Sequence, residues 1–358
     1  MTKKVIVGLS GGVDSSVAAL LLKEQGYDVH GMMLRLWSEP GCEDENKCCS
    51  PEGEMIAREV ASILDIPFRM VDSTEIFKAN IVDDFISSYE AGLTPNPCVR
   101  CNRLVRWGFF LDYALEQGAD YLATGHYARL VVDSEMGNTK LLKGVDPGKD
   151  QAYVLSLLNQ HQLSKTLLPL GELTKDEVRK IAAKHNLPSA SISDSQDLCF
   201  LGERTYAEFL ENYIPASFVS GPIKKSDGET IGEHNGLIHY TLGQRKGIRV
   251  AAPEPYYVIS KDIENNTLIV GMKDELGNQR FVVNEFNWVQ TNPDRPFNCD
   301  VKIRYKTKSV PAVVQPIDED SARIELEQPV SAITPGQVAV CYDFDEVIGA
   351  GIIGSLLI

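Results

Sequence analysis

The first clear pattern along the chain is a short apolar run, Lys3 to Leu9, rich in β-branched residues and running into Gly11 and Gly12. It predicts a buried strand. Ser15 to Gln25 is apolar and helix-forming and stops at Gly26, a natural C-terminal cap. Val29 to Leu36 and Pro67 to Val71 predict two more strands, with a helical pattern from Glu54 to Leu64 between them. An amphipathic helix from about Asn102 to Gln117 precedes a fourth strand, Asp120 to Thr124. Strands alternating with helices imply βαβ units and a doubly wound parallel sheet of the α/β class, over residues 1–205.

The pattern then changes. From Ser220 onward, turn signals (Ser226-Asp227-Gly228, Glu264-Asn265-Asn266, Gly277-Asn278) separate short β-rich runs such as Tyr256 to Ile259. Val310 to Ser355 continues as short alternating strands. This predicts a small β-rich middle domain over 206–280 and a C-terminal β-barrel over 281–358.

Composition adds limits. With 43% hydrophobic and 24% charged residues, the 358-residue chain is of ordinary globular make-up. The apolar start is too short for a signal peptide or a membrane span, so a cytoplasmic protein with no membrane partner is expected. In that reducing setting the eight cysteines, at 42, 48, 49, 98, 101, 199, 299 and 341, read as metal-binding or catalytic where they cluster. A net charge of −15 argues against DNA and leaves RNA binding to local basic groups.

Between the first strand and first helix stand Gly8, Leu9, Ser10, Gly11, Gly12, Val13, Asp14, Ser15 and Ser16. The two central glycines let the backbone approach an anion, and the helix behind points its amides and positive dipole end at it. The hydroxyls of Ser10, Ser15 and Ser16 are candidate phosphate donors, and Asp14 is a Mg²⁺ partner or loop organiser. The stretch lacks GK[ST] and GxGxxG and matches the PP-loop of ATP pyrophosphatases, which split ATP into AMP and pyrophosphate.

Cys98 and Cys101 lie in Thr94-Pro95-Asn96-Pro97-Cys98-Val99-Arg100-Cys101-Asn102, where prolines fix an extended entry to a helix. Helix amides and nearby arginines lower the pKa of a thiol there, favouring the reactive thiolate. Cys199 follows the polar run Asp194-Ser195-Gln196-Asp197. Buried inert thiols, a zinc half-site, or a thioredoxin-like pair are the competing readings. The last fails because the preceding βαβ unit already carries a nucleotide loop.

Taken in order, these segments resemble the tRNA-specific 2-thiouridylases. The resemblance rests also on Ala123-Thr124-Gly125-His126-Tyr127, Lys149-Asp150-Gln151-Ala152-Tyr153, Asp194 to Gly202 and His239 to Gly247. It runs the length of the chain. It implies an adenine nucleotide alpha hydrolase-like fold and ATP with Mg²⁺, with Leu34 and Gly125 helping to hold the adenosine. The implied reaction is adenylation of C2 of the wobble uridine of tRNA, expected in Lys, Glu and Gln tRNAs. Cys199 then matches the cysteine that receives sulfur as a persulfide from a cysteine desulfurase or sulfur-relay protein. Cys101 matches the partner that frees this sulfur through a transient Cys101–Cys199 disulfide. Asn96, Pro97 and Cys98 match the loop at the target base. His126, Lys149, Asp150, Gln151, Tyr305, Lys306 and Gln337 match tRNA-contacting positions.

Many members have aspartate where this chain has Cys98, so the proton-handling role of that position is weakened here. The change also places Cys98, Cys101 and Cys199 as candidate ligands of a [4Fe–4S] cluster with one open iron, a second route for the sulfur. Cys42, Cys48 and Cys49 read as incidental thiols of a flexible polar loop. Arg100, Arg103 and Arg106 share one helix, Arg245, Lys246 and Arg249 form a basic group in the middle domain, and Lys224-Lys225 read as solvated surface. Lys302, Arg304, Lys306 and Lys308 alternate at a period of two, which predicts one phosphate-tracking face of a strand, with Tyr305 packed on the other. A flipped uridine from a loop suits such chemistry. The competing functions are another PP-loop enzyme acting on a small molecule and a non-catalytic RNA-binding or sulfur-carrier protein.

Overall fold

The computed structural model describes residues 2–39, 50–192, 198–290, 293, 295–331 and 333–357. Cys42, Cys48 and Cys49, and the polar run Asp194 to Asp197, lie outside these residues.

Strands β1 (Lys4–Gly8), β2 (Asp28–Arg35), β3 (Phe68–Asp72), β4 (Tyr121–Ala123) and β7 (Thr166–Leu167) form one parallel sheet in the order β3-β2-β1-β4-β7. Val5, Ile6 and Val7 of β1 are fully buried, because helices cover both faces. The chain leaves β1 toward β2 and β3, then returns to place β4 on the other side of β1. The end of β1 is therefore a topological switch point, where the two sets of crossovers diverge and leave a crevice. Helix α1 (Val13–Glu24) follows β1 directly.

Two long helical stretches cover the cysteine side, 74–90 and 97–116, and each contains a π segment, Lys78–Val82 and Asn102–Phe110. Such wider turns concentrate at functional sites. The antiparallel hairpin β5 (Ala128–Val132) and β6 (Thr139–Lys143) leaves the parallel sheet and joins the C-terminal one.

The middle region is a four-stranded sheet of β8 (Gly221–Lys225), β9 (Thr230–His234), β10 (Tyr257–Asp262) and β11 (Thr267–Gly271), with a small core around Ile223, Val258 and Leu268. The last six strands are β12 (Gly277–Trp288), β13 (Phe297–Lys302), β14 (Val310–Pro316), β15 (Ala322–Ser331), β16 (Val338–Asp343) and β17 (Glu346–Leu357). They close into a barrel through β12–β17 pairing, which removes both free edges. Gly277-Asn278 opens β12 rather than forming a turn.

The barrel is not a separate bead. Val289, Val338, Val340, Tyr342 and Ala350 on its outer face share one core with Ile6, Trp107, Leu122 and Tyr153 of the parallel-sheet domain. Tyr153 Oη donates to Val338 O at 2.7 Å, and Asn287 Nδ2 donates to Ser156 O and Leu158 O.

The period-two basic stripe is not present. β13 ends at Lys302, and Arg304 to Thr307 form a turn closed by Thr307 N donating to Arg304 O. Lys302 lies over the rings of Tyr153 and Tyr305, and Arg304 donates to Leu242 O and Thr334 Oγ1. Only Lys306 and Lys308 of the four are exposed. Alternation in sequence marks a strand face only while the backbone stays extended, and here it does not.

Candidate active site

The nucleotide loop is shaped by its own backbone. Gly11 has φ +78°, and a Cβ there would stand 2.4 Å from Gly53 O at the start of the second helix, Pro51–Ile63. No other residue fits both demands. Ser15 Oγ and Ser16 Oγ both donate to Gly12 O, and Ser15 Oγ accepts from Ser10 N. These two hydroxyls brace the loop on its own backbone. Gly12 caps α1 with no side-chain hydrogen bond, so the first-turn amides carry the helix's positive end without an internal acceptor.

Asp14 is the loop organiser. Its carboxylate accepts from Lys175 Nζ at 2.7 and 2.8 Å and from Tyr127 Oη at 2.7 Å. Lys175 is buried at the first position of helix Lys175–Lys184, where a cation opposes the helix dipole. That misplaced charge was the one sequence signal that could have found it. Gly125, just beyond β4, packs so closely that a Cβ would lie 2.6 Å from Asp14 C and 2.8 Å from Ser15 N. His126 Nδ1 shares a 2.7 Å hydrogen bond with Thr124 Oγ1, and its ring lies 5.4 Å from that of Trp107. Burial, then the Arg106 guanidinium, push the imidazole down to about 3, so it is neutral at physiological pH.

Cys101 and Cys199 meet on one aromatic cluster. Both pack against the cluster that contains Leu36, Trp37, Phe77, Phe85, Phe200 and Phe209, which begins just beyond the C-terminal end of β2. Leu34, half-buried near the end of β2, touches both this cluster and the core that the parallel sheet shares with the barrel. Asn96 caps helix 97–116 by accepting from Val99 N at 3.3 Å, so Cys98 and Cys101 occupy its first turns. Arg204 pairs with Glu39 and lies over Phe209, tying the Cys199 segment to the chain that follows β2.

The remaining candidates fall into two groups. Cys98 is exposed and close to Tyr305, whose hydroxyl donates to Asp150 O at 3.0 Å and is pushed up by burial, with Asp150 and Cys98 as further causes. The Asp150 carboxylate accepts from Gly144 N and Ala152 N, and Gln151 Oε1 accepts from Tyr127 N, so these two side chains brace the 144–152 loop. Lys149 is half-buried beside them. Gln337 Nε2 donates to Thr94 O and Pro95 O. Arg100 and Arg103, read as RNA-facing from sequence, form ion pairs instead. Arg100 lies 3.1 Å from Asp84, and Arg103 lies 3.0 Å from Glu285 of the barrel.

Among the described residues no three His, Cys, Asp or Glu side chains lie close enough to hold a metal ion. The thiols of Cys98, Cys101 and Cys199 are thus not gathered as cluster ligands, and the [4Fe–4S] reading does not fit. Among the described residues no helix is long and apolar enough to cross a membrane.

Comparison with known proteins agrees with this architecture. Residues 3–203 match the model described as a tRNA methyl transferase HUP domain, 207–272 its PRC-barrel domain, and 278–353 an aminomethyltransferase beta-barrel domain. A protein of Proteus mirabilis named tRNA-specific 2-thiouridylase MnmA is 44% identical, covering 98% of this chain and 97% of its own. Relatives of the same name from Lachnoclostridium phytofermentans and Nostoc punctiforme are each 43% identical, covering 98% of this chain and 99% of their own. With relatives this similar over nearly its whole length, the chain belongs to the tRNA-specific 2-thiouridylase (MnmA) family.

Proposed function

We propose that the protein uses ATP to replace the C2 oxygen of a tRNA wobble uridine with sulfur. The observation that carries this reading is the packing of Cys101 and Cys199, distant in sequence, on one cluster beyond the C-terminal end of β2, the strand next to the β1 that leads into the nucleotide loop.

The steps follow from the residues. The main-chain amides from Gly11 to Ser15 hold the phosphates of ATP, and Mg²⁺ accompanies the nucleotide. The uridine C2 oxygen attacks the α-phosphorus, pyrophosphate leaves, and C2 carries AMP as a good leaving group. Cys199, loaded as a persulfide by an external sulfur donor, attacks C2 through its outer sulfur, and AMP departs. The Cys101 thiolate then attacks the inner sulfur of Cys199. That S–S bond breaks, the outer sulfur stays on C2, and a Cys101–Cys199 disulfide forms. Two electrons from an external dithiol restore both thiols. On this reading, neutral His126, beside Trp107, and Lys306 with Tyr305 after β13 are the groups that meet the RNA.

The test is mass spectrometry of wobble uridines after incubation with ATP, tRNA and a persulfide donor. Sulfur in place of C2 oxygen, with AMP and pyrophosphate formed, is the expected result. Pyrophosphate release that tRNA does not stimulate would sink the reading in favour of a small-molecule PP-loop enzyme.

A further inference from the structure

We propose that the C-terminal barrel positions the helix bearing Cys98 and Cys101, with Glu285 and Gln337 as the positioning residues. The inference rests on the reading that Cys101 releases sulfur from Cys199, and it gives the barrel a task beyond contact with RNA.

The barrel grips the helix 97–116 at two places. At its entry, Thr94 N donates to Pro335 O at 3.0 Å. Gln337 Nε2 returns hydrogen bonds to Thr94 O at 2.9 Å and Pro95 O at 3.3 Å, satisfying carbonyls that stand ahead of any helical partner. Gly336 lies between them so tightly that a Cβ would stand 3.0 Å from the Thr94 backbone. This turn is itself locked into β17, because Gly336 N donates to Ile353 O and Ile353 N to Gln337 O. On the flank of the helix, Glu285 lies 3.0 Å from Arg103 and 4.0 Å from Arg100, and Asp84 holds Arg100 from the neighbouring helix.

Glu285 reaches the helix at a cost. It sits at φ +48° where β12 loses register between Asn284 and Asn287. A glutamate in the left-handed region is strained, and such strain persists where the surroundings enforce it. The bulge turns the carboxylate out of the sheet and onto the helix. The shared core of Val338, Val340 and Tyr342 with Trp107 and Tyr153 makes the barrel a fixed base for both grips. An attacking thiol held at one end and along one side cannot swing away from its target, and misplacement by about an ångström costs on the order of a hundredfold in rate.

The experiment compares the full-length protein with Glu285→Gln and Gln337→Ala in thiolation over a range of tRNA concentrations up to saturation. AMP is counted with thiouridine, and amide hydrogen exchange is measured over 94–101. Both variants should insert sulfur about tenfold more slowly or worse, with no rise in the KM for tRNA. The ratio of AMP to thiouridine during the turnover should rise, because AMP leaves when the Cys199 persulfide attacks C2 and the Cys199–S–S–C2 adduct then waits for the Cys101 thiolate. Exchange over 94–101 should quicken at least about tenfold while that of 8–16 stays as in the parent. A raised KM with an intact limiting rate would make these residues RNA contacts and overturn the proposal. An unchanged ratio, or unchanged exchange over 94–101, overturns it as well. If the parent protein makes no thiouridine, the functional reading fails, and the exchange data still decide whether the barrel holds the helix.

Discussion

The nucleotide loop and the cysteine pocket border the same end of one parallel sheet but are built in opposite ways. Ser10 to Ser16 are shaped through the backbone: Ser15 and Ser16 return to Gly12, Gly11 fits against Gly53, and Asp14 is anchored by Lys175 and Tyr127. On the proposed reading, binding there falls to main-chain amides, which any side-chain change touches only indirectly. The cysteine pocket instead gathers side chains from the end of β2, helices 74–90 and 97–116, the segment after residue 198, and the barrel that grips the second of these helices. An anion needs a preformed cradle. Sulfur transfer needs thiols that approach each other, so their placement is left to tertiary contacts.

This contrast can be broken by substitution. Cys199→Ser should reduce thiolation by roughly a thousandfold or more, since a serine hydroxyl cannot carry the persulfide sulfur, and leave the thermal midpoint within error. Thiouridine made at the parent rate would remove the sulfur role from this end altogether. Gly125→Ala strikes the other end. Its methyl group must push the Asp14–Ser15 backbone away, costing about 1–3 kcal/mol of stability and most pyrophosphate release, read by denaturant titration and a pyrophosphate assay. Lys175→Met leaves the Asp14 carboxylate, one-third exposed, without its cation. The expected loss is about 1–3 kcal/mol, a buried-pair cost reduced for that exposure, together with weaker ATP binding by calorimetry.

His126, beside Trp107, gives a pH-dependent test. Its folded pKa is pushed down to about 3, below the unfolded value near 6.5, so folding favours the neutral ring. The stability this contributes is full above pH 6.5 and falls as the pH drops toward 3, because the unfolded chain then binds the extra proton. From pH 7 to 5 the loss is about 1–2 kcal/mol, and His126→Gln should flatten that part of the stability–pH curve. The smallest effect belongs to Cys98→Asp. A carboxylate in the first turn of helix 97–116 should stabilise it by about 0.3–1 kcal/mol and sustain thiolation. Loss of all thiolation would give Cys98 a rank equal to Cys101 and erase the distinction drawn within the pocket.

Most of the fold was legible because its signals are local. A β-branched run meeting two glycines marks β1 and its loop, and Gly26 marks the end of the α1 segment. The closing strands of the barrel follow from short alternation and turns. What failed was each inference that extended a local pattern into space. Lys302 to Lys308 alternate like a strand face, but the chain turns at Arg304. Arg100 and Arg103 read as RNA contacts beside a catalytic loop, yet Asp84 and Glu285 meet them from segments that no spacing rule connects. Lys175 went unseen because its partner lies on α1, far away in sequence.

The sequence alone determined the nucleotide loop, because backbone conformation near glycine depends on neighbouring residues. It also supplied the two reactive thiols. Only the tertiary structure decided that Cys101 and Cys199 share one aromatic cluster, that Asp14 is neutralised by Lys175, and that the barrel holds the helix of Cys98 and Cys101. Each of these is a contact between segments brought together by burial of apolar surface, and that burial fixes which segments meet without leaving a periodic trace of which polar groups will then be neighbours.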